Sequence, residues 1–324
     1  MVRVALLSRW HPHATGYGKH FASMPNVEIV RVWDEIPERG EEWAKEMGVP
    51  FEADLDAVIN APDVDAIVCV APTSMHKEIF LKAAAAGKHI FTEKVMTAKK
   101  ADALEIKKAI DESGVKFCIS FPMLTNPAIR YAKKLVEDGT LGRLSYLRIR
   151  NAHSGISSGW LPEHFKDPVT CGGGAMMDLG AHPMYISSFL MGKPYKVNAS
   201  FNKVYDTPVD DNCVSVIEFE NKVLCVSETG FVTSESPFQL ELSGSAGTFM
   251  MNQNGNFLSA GSGWTTPEIP GELGLPSAEQ QFIDAIEKDT PIAFGTTEAV
   301  ALTELMDLSY ISYHEDRPAY ASEL

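Results

Sequence analysis

Cysteine is scarce in this chain and nowhere paired in pattern. The five residues among 324, Cys69, Cys118, Cys171, Cys213 and Cys225, are odd in number, widely scattered and without a CxxC spacing. That points away from a disulfide framework and towards buried free thiols in a reducing cytosol. Long apolar runs are missing as well: none reaches the length that spans a bilayer. The opening MVRVALLSRW is too short for a signal h-region, and no small-residue cleavage site follows it, so a cytoplasmic protein is expected. Basic residues are few, 28 Lys and Arg against 43 Asp and Glu, giving a formal charge of −15. That balance argues against nucleic acid or an anionic membrane as a partner.

What is present is ample core material, 45% apolar residues, in a chain long enough for two domains. Short apolar runs at Val2–Leu7, Val27–Trp33, Ala66–Val70, His89–Thr92 and Val115–Ser120 read as buried strands. Helix-like stretches lie between them at Arg39–Met47, His76–Ala86 and Ala98–Glu112. Strands alternating with helices predict α/β architecture, a Rossmann-like doubly wound parallel sheet over residues 1–121. After residue 121 the texture changes. A helix over Thr125–Gly139 precedes strand-like runs at Leu144–Asn151, Tyr195–Tyr205, Asn212–Phe219, Val223–Thr229, Phe238–Ser243 and Thr248–Met251. Helical period returns at Phe282–Glu287 and Thr297–Tyr313. Residues 122–324 are therefore expected to form an α+β domain with a large open mixed or antiparallel sheet. Helices would cover one face and a second subunit the other, predicting a homodimer or homotetramer.

Ligands of a doubly wound sheet bind at the carboxyl ends of its strands. Asp34 ends the second strand, where an acid binds the ribose hydroxyls of an adenine dinucleotide and disfavours a 2′-phosphate. The expected cofactor is thus NAD rather than NADP. Yet glycine is missing where GxGxxG belongs, directly after the first strand. Ser8, Trp10 and His13 occupy the three glycine positions, and Trp10 threatens close approach of a pyrophosphate. Either the loop is rearranged around Gly16 and Gly18, or the cofactor sits differently, or none binds. In the cofactor-binding reading the loop contributes Ser8, Arg9, Trp10 and His11. His11-x-His13 has no third ligand nearby in the sequence, so no metal site is expected.

The segment Gly172–His182, GGGAMMDLGAH, places Asp178 and His182 four residues apart, on one face of a single helix. A second segment, APTSMHKEIFLKAAAAGKHIFTEKVMT over 71–97, puts Pro72-Thr73, His76 and Glu93-Lys94 at the carboxyl edge of the sheet. Together these resemble the glucose–fructose oxidoreductase/inositol dehydrogenase (Gfo/Idh/MocA) family, with its TP or PT pair, helix-opening His, GKH and EKP in the same order. Gly139–Gly142, Val209–Asn212 and Gly244–Thr248 resemble further turns of that family, and Thr297–Tyr313 its C-terminal helix. The resemblance implies an NAD(P)-dependent oxidoreductase acting on a secondary alcohol of a sugar, sugar derivative or inositol. It makes Lys94, Asp178 and His182 catalytic, and Pro72, Thr73, His76, Glu93 and Lys94 part of the cofactor site with Asp34. An imidazole suits the proton transfer and an ammonium the developing alkoxide.

Two departures stand out: Val95 replaces the proline of EKP, and Tyr185 replaces an acid three residues after the His. By the same resemblance the substrate pocket draws on the first long strand and the loop after it, here Arg150, His153 and Trp160, with Trp160 stacking on a sugar ring. Two other outcomes stay open. One is a hydrolase or lyase that uses transient oxidation with NAD regenerated. The other is a cofactor-free sugar sensor.

Overall fold

The computed structural model describes residues 1–235, 238–261 and 263–324. They form two compact units. The first comprises Met1–Thr97, Ala101–Ser120 and Pro276–Val300; the second comprises Ala98–Lys100, Phe121–Leu275 and Ala301–Leu324. Pro276–Val300, which the sequence division put in the second domain, thus folds with the first.

The chain opens β1 (Val2–Leu7), α1 (Ala14–Ser23), β2 (Val27–Trp33), α2 (Pro37–Met47), α3 (Leu55–Ile59), β3 (Ala66–Cys69), α4 (His76–Ala85), β4 (His89–Thr92), α5 (Lys100–Ser113) and β5 (Phe117–Ile119). The five strands are all parallel, in the order β2-β1-β3-β4-β5. Strands β3 and β5 are buried along their whole length and β1 and β4 nearly so, which is why their sequences run apolar instead of alternating. The order reverses between β1 and β3, so the loops after β1, β3 and β4 share the ligand-binding edge. Helix α1 was not expected from the sequence. Its buried residues Ala14, Tyr17, Gly18 and Phe21 keep helical spacing, but in the sequence the stretch reads as phosphate loop.

The second unit contributes α6 (Pro127–Glu137), β6 (Leu144–Ala152), α7 (Ala175–Asp178), α8 (Ala181–Met191), β7 (Pro194–Asn202), β8 (Asn212–Phe219), β9 (Leu224–Gly230), β10 (Gln239–Gly244), β11 (Gly247–Asn252) and β12 (Gly255–Ala260). Then come α9 (Ala278–Lys288), α10 (Thr296–Glu315) and β13 (Ala319–Tyr320). Helix α9 belongs to the first unit and seats Phe282 against Phe21 and Phe91, with ring centroids 6.4 and 5.8 Å away. In the second unit eight strands form one mixed sheet, β12-β11-β10-β6-β9-β8-β7-β13, antiparallel except for the β6–β9 pair. Alternation sorts its faces: Leu147, Ile149, Cys213, Ile217 and Cys225 are buried, whereas Val214, Val216 and Leu224 on the opposite face remain 39%, 39% and 46% exposed. No described helix is long and apolar enough to cross a membrane.

Candidate active site

The loop after β1 turns at Ser8 without a glycine. Ser8, buried, takes a left-handed φ of 68°, a conformation that glycine adopts at no steric cost and serine only with local support. That support is visible. The Ser8 amide donates to Trp33 O at 2.7 Å, and Ser8 Oγ accepts from the Trp10 amide at 3.1 Å. Trp10 is folded in, only 8% exposed. Gly16 and Gly18 lie within α1 and not in a rearranged loop, which corrects that expectation. At Gly18 a Cβ would come 3.3 Å from both Leu6 Cδ1 and Trp43 Cζ2, so this glycine permits close packing of α1 on the sheet, one of the tasks of a dinucleotide-fold glycine.

Asp34 is buried at the end of β2, but its carboxylate is already engaged. It accepts from the amides of Arg9 and Ile36, both at 2.8 Å, and from Arg39 Nη2 at 2.7 Å and Nε at 2.9 Å. Arg39 also donates to Glu35 at 2.6 Å. Arg39, five residues past Asp34, thus sits on the acid that the sequence reading assigned to ribose hydroxyls, a pairing the sequence did not show.

Pro72 and Thr73 start a short 3-10 turn after β3 and lead into α4. His76, at the start of α4, is fully enclosed. Its Nδ1 lies 2.9 Å from Val95 O and 3.2 Å from Met96 O, and its Nε2 lies 3.0 Å from Ala71 O. Burial, only partly offset by these carbonyls, lowers its pKa. The ring is therefore occupied in tying the turn after Lys94 to the end of β3, so it positions that turn instead of presenting itself to a cofactor. The Lys94–Val95 peptide is cis. Lys94 is no solvated surface lysine: its side chain is 2% exposed, with Nζ 3.8 Å from Glu93 Oε1. Glu93 is buried as well. Its Oε2 accepts from Tyr17 Oη and meets His13 Nδ1 at 3.2 Å. Burial opposes its ionisation, but the His13 hydrogen bond and the charges of Lys94, His11 and His13 outweigh that and hold it below the ordinary carboxylate range.

In the second unit Asp178 and His182 are not on one continuous helix. Asp178 ends α7 and His182 is the second residue of α8; Leu179 and Gly180 form a turn between them. The Gly180 amide reaches back to Ala175 O at 2.9 Å, five residues away, and a Cβ on Gly180 would lie 2.5 Å from Met176 O. Only glycine allows that closure. His182 Nδ1 lies 2.8 Å from Tyr185 Oη, and that oxygen accepts from the Met123 amide at 3.2 Å. The Tyr185 ring stacks on Phe121 at 4.4 Å. Tyr185 is thus both a core aromatic and the anchor of the histidine, a role the sequence left undecided.

The start of α7 depends on Asp210, which sequence reasoning quoted only as part of a turn. Its buried carboxylate accepts from the Gly174 amide at 3.1 Å and the Met176 amide at 2.8 Å, while its own carbonyl accepts from the Ala175 amide at 2.8 Å.

The three expected substrate contacts separate. His153 stacks on Phe231 at 5.0 Å and meets Trp160 at 4.7 Å; Trp160 keeps 55% of its surface exposed. Arg150 does not join them. It donates to Glu228 at 2.6 Å, beside Arg148, on the sheet face opposite Leu147 and Ile149. There it lines a shallow groove with Gln239, Glu241 and Met250.

Comparison with known proteins agrees with this layout. Residues 12–121 match the oxidoreductase family with NAD-binding Rossmann fold, and residues 129–250 match the GFO/IDH/MocA C-terminal domain. The chain is 25% identical over 317 residues to inositol 2-dehydrogenase of Rhizobium meliloti, covering 93% of this chain and 94% of that enzyme. It is 27% identical over 206 residues to scyllo-inositol 2-dehydrogenase (NAD(+)) of Bacillus subtilis, covering 61% of this chain and 58% of that enzyme. A 2,7-anhydro-N-acetylneuraminate hydratase of Mediterraneibacter gnavus is 35% identical over 137 residues, covering 41% of this chain and 36% of the hydratase. In these last two the matched stretch falls short of two thirds of the relative's length. Levoglucosan dehydrogenase solved with NADH and levoglucosan shares the fold with a TM-score of 0.86 at 19% identity, over 98% of either chain. With both halves matched in order, the chain belongs to the Gfo/Idh/MocA family of NAD-binding oxidoreductases.

Proposed function

We propose that this protein is an NAD-dependent dehydrogenase that oxidises a secondary alcohol of a polyhydroxylated ring, a sugar, a sugar derivative or an inositol. The burial of Lys94 carries the reading. An ammonium withdrawn from water is costly, and this one sits at the carboxyl edge of a Rossmann sheet, where ligands bind. NAD, when bound, supplies a hydride acceptor at the nicotinamide. Ser8 fits the role of the missing glycine through its left-handed backbone, and Arg9, Trp10 and His11 complete the loop. Asp34, Pro72, Thr73, Glu93 and Lys94 line the same edge.

The residues divide the chemistry. Lys94 polarises the substrate oxygen and stabilises its developing negative charge. His182 takes the hydroxyl proton at Nε2 in the tautomer whose Nδ1–H donates to Tyr185 Oη. Asp178 orients the imidazole or binds a neighbouring hydroxyl. Trp160, exposed beside His153, offers an aromatic face to the C–H side of a sugar ring. The test is NADH formation with a panel of inositols, pyranoses and anhydrosugars. Stoichiometric NADH supports the dehydrogenase. Turnover with catalytic NAD and no net NADH supports instead a hydrolase or lyase that uses transient oxidation. Sugar binding indifferent to NAD makes the protein a sensor.

The preference for NAD over NADP rests on Asp34 and Glu35, whose two charges exceed the single one of Arg39 on them. Arg39→Ala exposes that surplus. Titration of the two cofactors is expected to show the NADP/NAD ratio of Kd values rising about tenfold, near 1.4 kcal/mol; a falling ratio overturns the charge argument.

The face bearing Val214, Val216 and Leu224 is covered, in this reading, by a second copy of the chain, since apolar strand positions left in water invite association. Val216→Asp places an unpaired carboxylate there. Light scattering is expected to show a dimer or tetramer for the native chain and monomers for the variant.

A further inference from the structure

We propose that His11, His13 and Glu93 form a binding site for a divalent transition-metal ion of the zinc class. His11-x-His13 lacks a third ligand nearby in the sequence because that ligand lies 80 residues from His13 and only the packing of α1 beside β4 brings it in. One ligand atom from each of the three residues lies within 4.8 Å of the other two. Tetrahedral coordination at Zn–N and Zn–O distances of about 2.0–2.1 Å sets ligand atoms roughly 3.3 Å apart. The 3.2 Å between His13 Nδ1 and Glu93 Oε2 already has that length, and the other pairs lie within 4.8 Å.

A second observation is independent of the spacing. Glu93 Oε1 is buried without a hydrogen-bond donor; its neighbour is the Lys94 ammonium at 3.8 Å. A buried carboxylate oxygen left in that state is costly, and a cation at the head of the carboxylate satisfies it. The outer layer that a metal site needs is also in place. Tyr17 Oη donates to Glu93 Oε2, and the Tyr17 and Ser120 hydroxyls lie 2.8 Å apart, which fixes the carboxylate. The two imidazoles pack edge to face with centroids 4.4 Å apart. His11 Nδ1 accepts the His13 amide at 3.1 Å; coordination through that nitrogen exchanges a local hydrogen bond for a metal bond. Two nitrogens and one oxygen select Zn²⁺, Co²⁺ or Ni²⁺ over Mg²⁺ and Ca²⁺. Three protein ligands leave a fourth position for water or an anionic oxygen of a ligand.

The proposal does not rest on the dehydrogenase reading, and its test reads metal directly. The purified chain, stripped with chelator, is titrated with Zn²⁺ by calorimetry and with Co²⁺ by its visible d–d absorption. One equivalent is expected at micromolar free metal, with four-coordinate intensity for Co²⁺ and no response to Mg²⁺ or Ca²⁺. His13, half-exposed, can be removed without disturbing the core. His13→Ala is expected to weaken binding by about 100-fold, and the His11→Ala/His13→Ala pair to abolish it. Circular dichroism confirms that the variants fold. No saturable uptake by the native chain, or uptake unchanged in His13→Ala, overturns the site.

Discussion

Lys94→Ala is expected to lose roughly 10²–10³-fold in kcat/KM, the cost of one preorganised charge donor at a developing oxyanion, while the protein stays folded. The second half of the expectation follows from the burial itself. An ammonium with 2% of its side chain exposed was desolvated on folding, a cost that its removal returns and that offsets part of what Glu93 Oε1 loses when the charge beside it goes. Glu93 retains Tyr17 and His13 as partners. Measured together, NADH production and thermal melting separate the roles: lost turnover with a near-native melt assigns Lys94 to the chemistry, whereas full turnover removes it from the active site. His182→Ala is expected to cost a comparable factor, about 10²–10⁴, if it transfers the proton. Tyr185→Phe then gives the finer reading. It keeps the stack on Phe121 and removes the hydroxyl that meets His182 Nδ1 and the Met123 amide, so kcat should fall while KM for the sugar does not move.

The sequence displayed the parts of this site whose signal is local and hid those that depend on a partner. Strands β1, β3, β4 and β5 are buried on both sides, and that alone makes their residues apolar, so the first sheet and its ligand edge were legible. Lys94 was legible through the order of motifs around it, but its burial was not, because a lysine at a strand end reads as solvated until the fold is known. Ser8 shows the opposite failure. A GxGxxG pattern tests for glycine, whereas Ser8 takes the left-handed φ of 68° without being one. The i, i+4 spacing of Asp178 and His182 assumed an unbroken helix; Gly180, against Met176 O, breaks it. Arg39 on Asp34 and Glu93 against His13 are pairings across elements that no short pattern contains. Helix α9 carries an apolar face, yet an apolar face does not say which sheet it covers, and here it returns to the first unit.

Asp210→Ala is expected to have the largest effect on stability, a loss of about 2–4 kcal/mol. The residue lies at the centre of the local structure that presents Asp178. Its carboxylate accepts the Gly174 and Met176 amides, lies 3.3 Å from Tyr310 Oη and 3.1 Å from Cys213 Sγ, and is 6% exposed. Removing it strands two backbone donors and a tyrosine hydroxyl away from water, and each buried orphan costs more than the bond it made was worth. The backbone cannot compensate by moving closer. A Cβ on Gly174 would already lie 2.0 Å from Asp210 O, and one on Gly173 would lie 2.0 Å from Tyr310 Oη. Those two glycines bring the segment against Asp210, which explains why a glycine run precedes the Asp/His pair. Denaturant unfolding checks the magnitude. Asp210→Asn sharpens it, since the amide can still accept through one oxygen and should recover part of the loss. If instead Asp210→Ala unfolds like the native chain, α7 is held by packing of Ala175, Met176 and Met177 alone, and the acid belongs to binding and not to the fold.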